Sequence, residues 1–254
     1  MSELVGSVTA GTVQEVGGSA PRVDCGNMCG RFTQQRPTSE IAQIFEADDL
    51  AGDPGGHFNV APTDEAAVVV QRDERRAVVR YRWGLVPSWS DPGRASKAFN
   101  ARAETLATSG LFRDAYRRRR CLVPVDGFYE WLRDGSRRQP MRIHDPDDRP
   151  LALAGLWTGR KDEASGEWLR TFTIVTTRPN GFMTPIHDRM PVVVPPDSWA
   201  TWLDPTPRDP GELRALLEPR DDVGLAAYAV STLVNSVRND GPELILPRGD
   251  DAAT

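Results

Sequence analysis

The pair Met28-Cys29 holds the greatest chemical potential in this chain. Translation beginning at Met28, followed by removal of methionine before a small residue, leaves Cys29 as the amino terminus. Its α-amine, near pKa ~8, then lies on the carbon next to the one bearing a thiol near ~8.5, so both groups are partly nucleophilic at neutral pH. An amine and a thiol on adjacent carbons condense with an aldehyde: the imine forms first, and sulfur then closes a five-membered thiazolidine. The same terminus could instead attack a carbonyl and hydrolyse an amide, or Cys29 could be an ordinary small buried cysteine. With residues 1–27 attached, an amide replaces the amine and the thiazolidine cannot form.

Three further segments are dense in reactive side chains. In 97–105, Asn100 is an amide able to orient a nucleophile or simply to pin a loop, and Arg102, two residues on, suits a phosphate. In 124–131, strand alternation puts Glu130 on the face of Phe128 and Leu132, apart from Tyr129 and Trp131. A carboxyl on an apolar face has a raised pKa and can trade protons near neutrality; pairing with one of many arginines is its other role. In 184–191, prolines on both sides make a rigid mount for His187 as acid–base and Arg189 as an anion contact. His57 and His144 read as hydrogen-bonded structural residues. There is no Gly-x-Ser-x-Gly elbow for a serine nucleophile. Cys25, Cys29 and His57 do not make four ligands at zinc-like spacing, so neither a metal nor another cofactor is expected.

The elements that must position these groups belong to a turn-rich globular chain. The 254 residues are 39% hydrophobic and 26% charged, with 22 Gly and 21 Pro, enough for one sizeable core and unlike a disordered chain. No apolar run approaches the ~18 residues of a membrane helix, and three cysteines without framework spacing fit a reducing cytoplasm. The net charge of −5 is unevenly spread. Residues 204–254 hold ten acids against five arginines, whereas 82–131 hold nine bases against five acids, so a local basic face is available to a polyanion. All bases except Lys97 and Lys161 are arginine, whose planar fork suits phosphate.

Residues 1–27 are small, polar and glycine-rich, and read as a disordered leader or a mis-assigned start. Residues 28–247 form the expected catalytic domain, and 248–254 a flexible acidic tail. Thr38-Ser39-Glu40 opens a helix with Ile41, Ile44 and Phe45 on one face, and Ser109 caps a second helix running to about Arg118. A hairpin is expected from Ala66–Gln71 and Ala77–Arg82, then strands at Cys121–Val125, Phe128–Leu132, Met141–His144, Leu151–Leu156 and Thr171–Thr177. Pro195-Pro196 starts a helix carrying Trp199, Trp202 and Leu203, another covers about Gly211–Leu217, and a last strand spans Ala227–Leu233. Short strands with helices between them predict an α+β single domain on a mainly antiparallel, partly barrel-like sheet with peripheral helices.

Seven collinear stretches together resemble the SOS response-associated peptidase (SRAP) family, whose members shield abasic sites in single-stranded DNA. They are 28–32 (MCGRF), 58–63 (FNVAPT), 82–89 (RWGLVPSW), 100–105 (NARAET), 127–131 (GFYEW), 186–191 (IHDRMP) and 234–241 (VNSVRNDG). The resemblance implies that Cys29, freed as the terminus, forms a thiazolidine with the ring-opened aldehyde of an abasic deoxyribose. It implies that Asn100 positions the cysteine, Glu130 is the general acid–base, and His187 assists Schiff-base formation. Arg102 and Arg189 would grip phosphates, with Arg31 and Thr176 as further contacts and Trp89 as a stacking face. Ser90 stands where some members carry a second tryptophan. Single-stranded DNA with an abasic site is the implied partner, engaged by a cytoplasmic monomer capable of self-cleavage before Cys29. The guanidinium and aromatic types agree with single-strand binding, where each base stack contributes about 1–3 kcal/mol. A cysteine peptidase using Cys29, His187 and Asn100, and a non-covalent single-strand binder with a structural Cys29, are the two competing readings.

Overall fold

A computed structural model describes residues 30–87, 89, 98–161, 166–206, 211 and 213–249. Early in the chain lie β1 (Phe32–Gln34), α1 (Thr38–Ile44), β2 (Ala47–Asp49), β3 (His57–Val60), β4 (Glu65–Arg72), β5 (Arg75–Trp83) and β6 (Asn100–Arg102). Then come α2 (Arg113–Arg118), β7 (Arg120–Val125), β8 (Gly127–Asp134), β9 (Arg137–His144), β10 (Leu151–Lys161) and β11 (Trp168–Thr177). The last are β12 (Met190–Pro191), α3 (Trp199–Leu203) and β13 (Ala226–Ala229), with short 3-10 turns between them.

Five strands close on themselves in the order β11-β10-β7-β4-β5 and back to β11. Four of the five pairings are antiparallel; the closing one, Thr171 and Phe172 against Arg82 and Trp83, is parallel. The β-branched and apolar runs that mark these strands supply both faces, because alternate residues point in opposite directions. Val68, Val70, Val79, Val123, Leu153, Phe172 and Ile174 fill the interior. Val69, Val78, Leu122, Ala154 and Leu156 face outward and are covered by Ile41 and Phe45 at α1 and by Trp202 and Leu203 of α3. The interior is tight at Gly155, where a Cβ would lie 2.8 Å from Cys121 Sγ and 3.1 Å from Val123 Cγ2. Burial pushes the Cys121 thiol up, which leaves it a core filler rather than a nucleophile.

A second, fully antiparallel sheet runs β13-β9-β8-β1-β3. It is joined to the barrel by the β7–β8 corner. There Gly127 admits no Cβ, which would stand 2.9 Å from the Ile143 carbonyl and 3.1 Å from Arg142 Nε. Phe32 of β1 reaches across to Trp83 in the barrel, with ring centroids 5.0 Å apart, and Trp83 lies parallel to Phe172. Tyr129 faces the opposite side of this sheet, over a small cluster with Val230, Val234 and Leu244.

The expected class holds: a mostly β, single-domain α+β fold with a closed barrel and few helices. Several boundaries differ. The second helix starts at Arg113 rather than Ser109; the Ser109 hydroxyl holds the Leu111 N–H, and residues 109–112 form turns before the helix. The expected 211–217 helix reduces to a 3-10 turn at Arg214–Leu217, with 207–210 and 212 outside the described residues. The final strand ends at Ala229, where the Ser231 side chain accepts from Leu233 N and opens the 3-10 turn Thr232–Asn235.

Candidate active site

Glu130 stands in the middle of β8, paired with Met141 of β9. On the other edge of β8, Tyr129 N–H donates to the Arg31 carbonyl at 3.0 Å, and Phe32 pairs with Phe128. Continuing that register sets Gly30 abreast of Glu130. Cys29, one peptide bond further, lies outside the described residues, as do Met28 and the leader. Glu130 is 2% exposed, so its carboxyl occupies a low-dielectric position within the protein.

Its facing partner is His187, whose Nε2 lies 3.8 Å from Glu130 Oε2, beyond hydrogen-bond range but close enough for direct charge coupling. The loop carrying His187 is rigid for a reason that prolines alone do not supply. Asn180 Oδ1 accepts from Met183 N–H, and the Asn180 carbonyl accepts from both the amide and the hydroxyl of Thr184. The Met183 carbonyl in turn accepts from Ile186 and His187 N–H, while the Met183 side chain is buried with the barrel interior. His187 Nδ1 meets two groups: the Arg189 N–H at 3.2 Å and Asp188 Oδ1 at 3.0 Å. The neutral ring accepts from Arg189 and carries its proton on Nε2, towards Glu130; the protonated ring can donate to Asp188. Burial holds the imidazolium below its usual range, and the Asp188 carboxylate offsets this only in part.

Asn100 and Arg102 belong to β6, which pairs in parallel with β11 so that Asn100 is opposite Ile174 and Arg102 opposite Thr176. The start of this strand is pinned twice, since the Phe99 carbonyl accepts from Trp83 Nε1 at 2.8 Å and from Ile174 N–H at 3.0 Å. Asn100 is half-buried and Arg102 exposed. Arg189 reaches the same edge. Its Nη2 donates to the Thr176 carbonyl at 2.9 Å, and both terminal nitrogens meet the Glu104 carboxylate. Those hydrogen bonds from Arg189 hold the Glu104 carboxyl below the usual carboxylate range against the opposing effect of burial, with a smaller contribution from Arg102.

Sequence reasoning singled out Glu130 and His187, which the fold brings together, and Arg102, Arg189 and Thr176, which meet at one strand edge. Trp89 is 74% exposed, and Thr176 is buried, offering Arg189 its carbonyl. Arg31 is turned inward at 6% exposure, donating to Asn59 Oδ1 at 2.8 Å and to the Val234 carbonyl at 2.7 Å. Both of these are directed into the protein rather than towards a passing strand. Of the two structural histidines, His57 pairs with Asp240 and His144 packs edge-on against Tyr228. Among the described residues, no group of three or more His, Cys, Asp or Glu is placed to hold a metal ion.

Sequence reasoning assigned no role to Asn59, Asp240, Asn180 or Glu104. Asn59 is a hub beneath β1: its Nδ2 donates to the carbonyls of Ser236 (3.0 Å) and Asn239 (2.8 Å) while its Oδ1 takes Arg31. Asp240 accepts from the N–H groups of Phe58 and Asn59. Two of the seven collinear stretches, 58–63 and 234–241, are therefore a strap and its anchor, holding β1 from the side away from Glu130. The asparagine and aspartate supply the donors and acceptors, but their backbone partners lie 177 to 182 residues away, beyond any local signal.

A family model described as SOS response associated peptidase (SRAP) matches residues 28–237. The chain is 40% identical over 222 residues to the abasic site processing protein YoqW of Bacillus subtilis, covering 86% of this chain and 99% of that one. To the abasic site processing protein YedK of Escherichia coli it is 32% identical over 231 residues, covering 87% and 100%. Among solved structures, a protein from Bacteroides thetaiotaomicron superposes with a TM-score of 0.76 at 24% identity, covering 87% of this chain and all of that one. A second, from Bordetella bronchiseptica, gives 0.69 at 27% identity over 80% of this chain and all of its own.

Proposed function

The chain belongs to the SOS response associated peptidase family, and on that premise we propose that it processes abasic sites in single-stranded DNA by covalent capture on Cys29. The observation that carries this reading is the buried Glu130 carboxyl, facing His187 and abreast of Gly30, the neighbour of Cys29. The relatives named as abasic site processing proteins support the substrate.

The α-amine of Cys29 adds to C1′ of the ring-opened deoxyribose, and loss of the hydroxyl as water gives the imine. The thiolate then adds to the imine carbon, and nitrogen takes back a proton to complete the thiazolidine. One water leaves overall, and no oxidant or metal is needed. A carboxyl at Glu130 passes protons in sugar ring opening and in imine formation. His187 Nε2, bearing the proton of the neutral ring, lies beside that carboxyl to share the transfer. Arg102 and Arg189 are suited to phosphates flanking the lesion, Trp89 to a neighbouring base, and Asn100 to orientation of the terminus. Removal of residues ahead of Cys29, by initiation at Met28 or by self-cleavage, is part of this proposal, because the chemistry needs a primary amine.

The test uses the chain beginning at Met28 and single-stranded DNA with one abasic site, read by denaturing electrophoresis and intact mass. The expected species is protein plus DNA less one water, joined through Cys29, absent in Cys29→Ala and absent when residues 1–27 remain attached. A free amine confirmed by mass, with no such species, overturns covalent capture and puts forward peptide hydrolysis by Cys29 and His187.

A further inference from the structure

The Arg189 guanidinium has one edge open to solvent, and Glu104 fills it. Nη1 and Nη2 both meet the Glu104 carboxylate, one oxygen each, in the end-on bidentate arrangement. The other edge is closed: Nη2 also donates to the Thr176 carbonyl at 2.9 Å, and Nε is buried without an acceptor among the described residues. The Arg189 side chain is 14% exposed and that of Glu104 51%, so the solvent side of the pair belongs to the carboxylate. Arg102, two residues before Glu104, is exposed and close enough to help hold that carboxyl ionised.

We infer that Glu104 is an internal stand-in for a DNA phosphate, held by Arg189 and displaced when a strand enters. This deepens, and rests on, the abasic-site reading above. A phosphate oxygen pair can take the Arg189 fork bidentately only from where Glu104 now sits, so grip on the strand and release of Glu104 are one exchange. The backbone N–H of Arg189 donates to His187 Nδ1, so the exchange takes place on the side chain of a residue that also positions the imidazole. Glu104 thereby acts as a specificity residue: isolated weak anions do not displace a preformed bidentate carboxylate, whereas a strand fixed at several phosphates does.

The exchange has a distinct salt signature. Each phosphate neutralised on a single strand contributes a slope of about −0.7 in log K against log salt, from released counterions. In the native protein the gain at Arg189 is offset, because the freed Glu104 gathers a cation. Glu104→Gln removes the offset.

The experiment measures the affinity of the chain beginning at Met28 for a single-stranded oligonucleotide carrying a tetrahydrofuran abasic analogue, which has no aldehyde, across a range of salt. Glu104→Gln is expected to bind about two- to five-fold tighter at low salt, with a slope steeper by about 0.7. Glu104→Asp, which keeps the charge, should keep the native slope. In an Arg189→Ala background the Gln substitution should have no effect on slope. Unchanged or weaker binding by Glu104→Gln, with an unchanged slope and a native-like unfolding transition, overturns the inference and makes Glu104 a brace for Arg189. A native protein that does not bind the strand at any salt overturns the abasic-site reading itself, and the inference with it.

Discussion

Replacing Asn59 tests whether the strap formed by residues 234–241 is what fixes β1, and with it the approach to Cys29. Asn59 is 3% exposed. Its truncation to alanine strips donors from the Ser236 and Asn239 carbonyls and one acceptor from Arg31. The Val234 carbonyl keeps Arg31 as its donor at 2.7 Å, so the longer 3.4 Å contact from Asn59 is not counted as a loss. Three hydrogen bonds, one buried and two part-buried, at about 1 kcal/mol each, the buried one to a charged group, give a loss of roughly 3 kcal/mol. Asn59→Asp sharpens the test. It keeps the volume and the acceptor for Arg31 but turns a carboxylate oxygen towards the carbonyls of Ser236 and Asn239. If donation by Nδ2 is what matters, Asp should therefore cost at least as much as Ala, despite being the conservative change and lying next to an arginine. Urea unfolding followed by tryptophan fluorescence gives the stabilities, and the adduct assay gives the rate of capture. A loss below about 1 kcal/mol for Ala, or an Asp variant as stable as the native protein, would falsify the strap as the anchor of β1.

Other substitutions probe separate parts of the argument. Glu130→Gln should slow adduct formation by about 10²- to 10⁴-fold, the range for loss of a general acid–base, while leaving salt-dependent affinity unchanged; a fall in affinity would mean that Glu130 holds the fold instead. Burial lowers the His187 pKa in the folded protein, so just below the unfolded value of about 6.5 the unfolded chain binds the extra proton and stability falls as pH falls. The loss is complete below the folded pKa, and His187→Gln should remove this component; parallel stability profiles for the two proteins between pH 7.5 and about 5 would contradict it. Gly155→Ala should destabilise by about 1–3 kcal/mol through overpacking against Cys121 and Val123. Cys121→Ala should relieve part of that cost, and strict additivity in a double-mutant unfolding cycle would refute the contact.

The barrel was largely legible because its strands β4, β5, β7, β10 and β11 are six to eleven residues long and rich in apolar residues. The strands β1, β2, β3, β6 and β12 are two to four residues long and carry no readable period of their own. They exist because a longer neighbour offers backbone partners, as β11 does for β6 and β12. The same division applies to the site. Glu130 and His187 were readable by residue type, Glu130 from an acid within an apolar strand and His187 from its proline-bounded loop. That Arg31 turns to Val234, or Glu104 to Arg189, depends on pairings 203 and 85 residues apart, which no local pattern encodes. The alternation that set Glu130 apart from Tyr129 was sound, but it implied one apolar face; in the structure the other face is covered too, by the segment around Val230 and Val234.

The clasp of Arg31 by Val234 has a temporal meaning as well as a spatial one. The two residues are separated by 203 positions, so a ribosome adding about 5–20 residues per second makes the second roughly 10–40 s after the first. Throughout that interval Arg31 has neither its carbonyl acceptor on the strap nor, until the late strand β11 is made, the closed barrel behind its neighbour Phe32. The strand that leads to Cys29 thus precedes by many seconds the segment that clasps it. The nascent chain cannot fasten β1 at Arg31 before the strap that carries Val234 exists.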